Sequence, residues 1–303
     1  MRVSRCSLSC FEVLRRKSGL LATTSVLMAL AVSSLQAENP RPRSRRQSRE
    51  SLPSAPAAEQ PANSKGTAGT PTEIPSDHPL VPALKYAYSS REALKEVKDY
   101  TSLFIKREYK SRQMVTQAID LKLRHEPFSV YMHFRTPEEG REVLYVDGAN
   151  GGRLKVHEGS GIKAIAGTMD FNIDAPEVMK ENKYPITKLG VANLLDAIIA
   201  QWEAETKFGE VSLKYFPKAK IGETQCVVFE STHPERRREF RFHKTRLYFE
   251  KDTRYPFRVE QYGFPRNGQG EPPLIEEYTY SNLKANVNLS GHDFSPRNPN
   301  YRF

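Results

Sequence analysis

The sequence predicts an α+β fold in which a strongly curved, half-barrel-like antiparallel sheet wraps around helices. Three observations carry this. Long stretches of the chain alternate apolar and polar residues with period two, the pattern of half-buried strands. Successive alternating runs are joined by short turn-forming segments, which connect antiparallel neighbours. Two other segments repeat their apolar residues at helical spacing and supply the cover that one face of such a sheet needs.

The chain of 303 residues opens with a positive cluster, Arg15-Arg16-Lys17, an apolar run from Gly19 to Val32, and a small residue, Ala37. This is the pattern of a secretory signal peptide over residues 1–37, with a run too short for a good membrane span. An uncleaved N-terminal anchor is the alternative, and either places the protein in the periplasm or cell envelope. Residues 38–76 are rich in Pro, Ser, Ala and Arg with few large apolar residues. They read as a disordered linker, because such a composition cannot bury enough surface to offset chain entropy. Arg41, Arg43, Arg45, Arg46 and Arg49 lie at its head. They offer a peripheral contact with anionic surfaces, a solvated spacer being the plainer reading. Residues 77–303 then form a single domain, long enough to bury a core without staples.

The formal net charge of +10 is spread along the chain, +4 on residues 1–37, +2 on 38–76 and +4 on 77–303, where 35 bases face 31 acids. A folded unit so close to balance lacks the basic footprint of nucleic-acid binding. Of the three cysteines, Cys6 and Cys10 fall in the signal segment. Cys226 is then alone in "TQCVVFE", and a disulfide framework is excluded. A lone Cys on a strand reads as a small buried hydrophobe.

Within the domain, Leu84, Ala87, Tyr88, Ala93, Leu94 and Val97 mark a helix with a break expected near Ser89-Ser90. Period two follows. Ile119, Leu121 and Leu123 share one face of a strand, and Phe128, Val130, Met132 and Phe134 share one face of the next. "VLYVDGANGGRLKV" is two strands around an Asp-Gly/Gly-Gly turn. From Ala175 to Gly209 the period is helical, with breaks at Pro185 and Gly190 and an apolar stripe of Val191, Leu194, Leu195, Ile198, Ile199 and Trp202. Strands are expected again around 211–216, 225–231, 239–244, 247–250, 257–262 and 276–283.

Chemistry-bearing patterns are sparse. The seven histidines show no metal-ligand spacing, and no cofactor motif is present. Asp170 and Asp174 lack the Gly and terminal Glu of a calcium loop. Tyr131, His133 and Arg135 share a strand face, which reads as a polar pocket or, more simply, a solvated face. Arg241 and His243 form a basic stripe able to meet phosphate or carboxylate, with an exposed sheet face as the plainer reading. No constellation carries catalysis, so an enzyme is the least favoured class.

"YFEKDTRYPFRVEQYGFPRNGQGEPPLIEEYTYSNLKANVNLSGHDF", the closing "DFSPRNPNYRF" and the earlier "VLYVDGANGGRLKVHEG" resemble a family of exported bacterial proteins of unknown function. More distantly, the layout and the strand-turn-strand "YFEKDTRYPFRVEQY" resemble the LolA-like superfamily of envelope lipoprotein carriers. That resemblance implies an apolar cavity between sheet and helices that holds acyl chains, and a lipid or lipoprotein as partner. The lining it implies is Ile119, Leu121, Phe128, Val130, Met132, Leu247 and Phe249 from the sheet and Leu195, Ile198 and Trp202 from the long helix. The same residues would serve a closed structural or protein-interaction module as ordinary core.

Overall fold

The computed structural model describes residues 75–303. The expected signal segment and all but the last two residues of the expected linker lie outside the described residues. Helix α1 (Val81–Leu94) leads into a meander of β1 (Asp99–Lys110), β2 (Gln113–Arg124), β3 (Ser129–Thr136), β4 (Glu142–Val146), β5 (Arg153–His157) and β6 (Thr168–Asn172), with the single turn α2 (Ile162–Ile165) before β6. Helices α3 (Pro176–Glu181) and α4 (Val191–Glu205) then cross to a second meander of β7 (Ser212–Ile221), β8 (Thr224–Thr232), β9 (Lys244–Glu250), β10 (Pro256–Tyr262) and β11 (Leu274–Ala285). No described helix is long and apolar enough to cross a membrane.

All eleven strands form one antiparallel sheet in the order β6-β5-β4-β3-β2-β1-β11-β10-β9-β8-β7. Each meander is a series of hairpins. The two are joined by one long-range pairing, β1 with β11, in which Phe104 lies opposite Tyr280 and Lys106 opposite Tyr278. The sheet is open, with β6 and β7 as its edges. Edge strand β7 carries Lys214, Lys218, Lys220 and Pro217, residue types that discourage the addition of a further strand.

The two longer helices lie on the inner face. In α1 a proline sits in the first turn, where its missing N–H removes no helical bond. Its buried positions Ala83, Leu84, Ala87, Ser90 and Leu94 follow helical spacing. The break expected at Ser89-Ser90 is absent. The Ser90 hydroxyl instead donates to the Arg254 carbonyl at 2.7 Å, so the serine that could have interrupted the helix ties it to the β9–β10 turn.

Helix α4 has no side-chain cap of its own. The Gly190 N–H donates to the Tyr280 hydroxyl at 3.0 Å and the Val191 N–H to the Tyr100 hydroxyl at 3.1 Å. Two of the donors that a helix start leaves unpaired are thus met by β11 and β1. Gly190 has φ +116°, and a Cβ there would lie 3.0 Å from Leu123 Cδ1 and 3.2 Å from the Tyr100 hydroxyl. Seven residues of α4, from Val191 to Glu205, are buried at spacings of one, three and four.

The strand expected at 239–244 is not formed. Only Lys244 enters a strand, and residues 233–243 make a loop. The alternation of Phe240 and Phe242 is real, and both rings are buried. Phe240 stacks on His233 at 3.8 Å, so the aromatic residues anchor a loop rather than form a ladder. On the outer face the C-terminal segment folds back over β2–β4. Tyr301 stacks on Tyr131 at 3.9 Å, Lys122 pairs with Asp293 at 2.8 Å, and Phe294 packs with Leu144.

Removing an acceptor beneath α4 is expected to strand a buried amide. Tyr280→Phe should lower the urea unfolding free energy by about 1–3 kcal/mol. Gly190→Ala should destabilise by more than about 1 kcal/mol, because its backbone conformation disfavours any side chain. If both variants unfold at the wild-type midpoint, the helix is not held in this way.

Candidate functional site

The inner face gathers all ten residues that the sequence marked as an apolar lining. Ile119, Leu121, Val130, Leu195, Ile198, Trp202, Leu247 and Phe249 are buried, Phe128 and Met132 partly so, and all belong to one continuous apolar cluster with α1 and α4. Strand register explains the gathering. Leu121 lies opposite Met132 and Leu123 opposite Val130. At the far wing Phe249 lies opposite Val227, and Leu247 opposite Phe229.

Polar contacts fix the C-terminal half of α4. The Trp202 indole donates to Ser231 Oγ at 3.1 Å. Gln201 donates to Thr245 Oγ1 at 3.2 Å and accepts from Gln261 at 2.8 Å. Helix α4 therefore runs from the β1–β11 seam to strands β8, β9 and β10.

Burial is uneven along this face. From Lys155 to Leu189 no described side chain is fully buried. Val156, Phe171, Ile173, Val178, Ile186 and Leu189 pack only partly against the rim of the cluster. Within this stretch β5 and β6 end the sheet, and the segment from Ile173 to Leu189, which includes α3, lies over the inner face with only partly buried side chains, unlike α4.

A polar row, which the sequence reading passed over, continues the inner face. Beyond Phe104 the alternation of β1 brings Lys106 and Glu108 inward. Gln117 and Tyr278 flank Lys106, and Glu276 flanks Glu108. Lys106 Nζ donates to Asn182 Oδ1 at 2.6 Å, and the Tyr278 hydroxyl to Glu108 Oε1 at 2.7 Å. Glu276 accepts from Lys183 at 3.0 Å and from Tyr184 at 2.8 Å. Burial pulls the Lys106 ammonium below its usual range, against the attraction of Glu108. The signal was in the sequence: the period that sends Tyr100 and Phe104 inward sends Lys106 and Glu108 the same way.

The outer face and the loops hold the other features. Cys226 is a free, buried thiol, in a small cluster with Val228, Tyr248 and Phe257 rather than in the main core. Across β8–β10, Arg246 pairs with Glu230 and Glu260 on the neighbouring strands, and Arg258 pairs with Glu260 along β10. Tyr131, His133 and Arg135 do share this face, but Tyr131 lies under Tyr301, and Arg135 clamps Asp120 with two hydrogen bonds of 2.8 and 2.7 Å. Arg241 donates to the Tyr184 hydroxyl at 2.6 Å from its loop. Asp170 is taken up by Lys155 and Asn150. Two surface grooves, of about 460 Å³ beside Tyr215, Phe216 and Tyr248 and about 240 Å³ beside Leu144, Asn150 and Phe294, border none of the ten lining residues. Among the described residues no group of His, Cys, Asp and Glu is placed to hold a metal ion.

Residues 97–303 match the family described as "Protein of unknown function (DUF1571)", and the chain belongs to that family. No curated protein matches the sequence. Solved structures with a similar layout include LprF from Mycobacterium bovis, at 12% identity over 70% of this chain and 98% of that one with a TM-score of 0.40. The lipoprotein LppX from Mycobacterium tuberculosis aligns at 13% identity over 69% and 100%, with a TM-score of 0.39. The LolA superfamily protein NE2245 from Nitrosomonas europaea aligns at 13% over 70% and 97%, with a TM-score of 0.32.

Two measurements follow from the outer face. Burial raises the Cys226 thiol pKa, so a disulfide reagent at neutral pH should label it slowly in the folded protein and quickly in urea. Rapid stoichiometric labelling of the native state would place the thiol at the surface. For Glu260, burial opposes ionisation, but hydrogen bonds from Tyr262, Arg258 and Tyr248 and the charge of Arg258 hold its carboxyl below the ordinary 4.5. A depressed carboxyl stabilises the fold above its unfolded value and loses that contribution as pH falls through its folded value. Glu260→Gln should therefore be less stable than wild type at pH 7, with the gap closing below about pH 4. A gap independent of pH would show that the ionised carboxylate contributes nothing.

Proposed function

We propose that this member of the DUF1571 family binds a lipid or other apolar ligand against the inner face of the sheet, beneath the segment from Ile173 to Leu189 that carries α3. One observation carries the proposal. Helix α4 seals its part of the sheet with seven buried residues, whereas α3 has none. A segment with few buried apolar contacts opens at low free energy. Its side chains pack against the rim of the apolar cluster, and each methylene that a ligand buries there contributes about 0.8 kcal/mol. Ile119, Leu121, Phe128, Val130 and Met132 would form the wall, and Leu195, Ile198, Trp202, Leu247 and Phe249 would continue it under the helices. The carrier resemblance of the sequence points the same way. With it go export to the periplasm or envelope, a lipid or lipoprotein partner, and a peripheral hold on anionic surfaces through the Arg-rich linker.

A closed interaction module is the second reading. It is favoured by the complete burial of Leu195, Trp202, Leu247 and Phe249, each at 0% exposure. Trp202 is the only tryptophan, so energy transfer from it to cis-parinaric acid separates the two. Ligand binding predicts a saturable signal. Met132→Glu, at a half-buried position, should weaken it about tenfold with little loss of stability, since partly exposed sites tolerate charge. Ile198→Ala should lower stability by about 2–5 kcal/mol as a core truncation under either reading. No saturable signal, with that truncation effect intact, would leave the closed module.

A further inference from the structure

We infer that Lys106, Glu108 and Gln117 form the seat for an uncharged, hydroxyl-bearing head of an amphipathic ligand, an inference that rests on the apolar-ligand reading above. Position is the first argument. Phe104 lies opposite Ile119, a wall residue, and the next inward pair is Lys106 with Gln117. The apolar wall thus turns polar after two residues, about 7 Å along a strand. A molecule lying along β1 and β2 would meet hydrocarbon and then polar groups in that order.

The second argument is hydrogen-bonding capacity. Glu108 Oε2, Gln117 Oε1 and Ser102 Oγ are buried and have no hydrogen-bonding partner in the protein. Their residues are only 3%, 3% and 7% exposed. Buried polar atoms in folded proteins are nearly always paired, so Glu108 Oε2 and Gln117 Oε1, beside Lys106, mark a place built to receive something, while Ser102 lies on the far side of Phe104. The carboxylate and amide oxygens only accept, so what they receive must donate. The remaining groups are already engaged: Gln117 Nε2 donates to Glu138 at 3.0 Å, and Glu108 Oε1 accepts from Tyr278.

Charge narrows the class. Lys106, Lys110 and Lys183 stand along this row with Glu108, Glu138 and Glu276, three of each sign, and Glu181 is taken up by Arg141. A phosphate or an ammonium added to this buried, balanced set would stand unpaired at high cost. A glycerol- or sugar-like head supplies donors without charge. Access lies through the loosely covered stretch, since Asn182, Lys183 and Tyr184 are the side chains that lie over the row. A ligand hydroxyl would replace the Asn182 amide oxygen as the acceptor for Lys106, and donate its own proton to Glu108 or Gln117.

Displacement of cis-parinaric acid from the full chain, followed through Trp202, tests this with 1-monooleoylglycerol against methyl oleate. The glycerol head should bind about tenfold more tightly, the worth of one or two neutral hydrogen bonds. Gln117→Leu should reduce that preference to about twofold. Glu108→Gln, which keeps an acceptor for Tyr278 and so guards against a folding defect in the first variant, should reduce it too. Equal affinity of the two ligands, or a preference untouched by both variants, would mean that the oxygens meet only water and would overturn the seat while leaving the apolar face intact. Tighter binding of oleoyl lysophosphatidate than of monooleoylglycerol would overturn the uncharged head. Failure of cis-parinaric acid itself to bind would overturn both readings together.

Discussion

The first two amides of the α4 start have no helical partner, and the inner face of the sheet supplies one for each. Tyr100 and Tyr280 stand on β1 and β11, the two strands that join the meanders, and their hydroxyls accept from Val191 and Gly190. Much else depends on this contact. It sets α4 over the seam, from which its apolar stripe reaches β8–β10. It places α1 beside α4, and with α1 the Ser90 contact to the β9–β10 turn. A buried phenol suits the task, because it brings one polar atom to the helix end and otherwise adds apolar surface. The surroundings push both phenols well above their usual pKa through burial, so they stay neutral and present a hydroxyl at any physiological pH.

The inner face divides into territories with different physics. Under α1 and α4 it is an ordinary packed core, in which a lost methylene leaves a cavity that neighbours only partly fill. Under α3 and the segment to Leu189 the apolar cluster gives way to the polar row, and the cover is fastened by polar groups. Lys106 holds Asn182, Glu276 holds Lys183 and Tyr184, and Arg141 holds Glu181 at 2.8 Å. Hydrogen bonds and ion pairs of this kind are modest in net energy. They define a position without locking it, unlike the interdigitated side chains of α4.

Local periodicity made most strands and both long helices legible in the sequence, because a strand with one face in a core must alternate and a packed helix must repeat at its own pitch. It also named the face on which Ile119, Leu121, Val130 and Met132 lie. It failed where pattern and backbone part. Phe240 and Phe242 alternate as strand residues do, yet both are buried in a loop, where Phe240 packs on His233 and Phe208. Ser89-Ser90 looked like a helix break, and only the distant Arg254 carbonyl makes Ser90 a good helical residue. The pairing of β1 with β11 was out of reach, since nothing within either strand specifies a partner some 170 residues away. Whether the lining encloses space depends on distances between elements, which no local pattern encodes. Lys106 and Glu108 were legible in principle, but charge on a strand is ordinarily read as solvent-facing.

The seam between β1 and β11 has a consequence for the order in which the chain can assemble. Each meander is local and can pair as its hairpins appear, but the middle of the sheet needs the first strand and the last together. Contacts of such long sequence separation form late and slowly, and until then both meanders expose an unpaired edge and an uncovered face. The Tyr280 hydroxyl that seats α4 arrives with the same last strand. A nascent or threading chain therefore stays without its central core until β11 has emerged. A chain cut before Leu274 loses the middle of the sheet and leaves two half-sheets with nothing to join them.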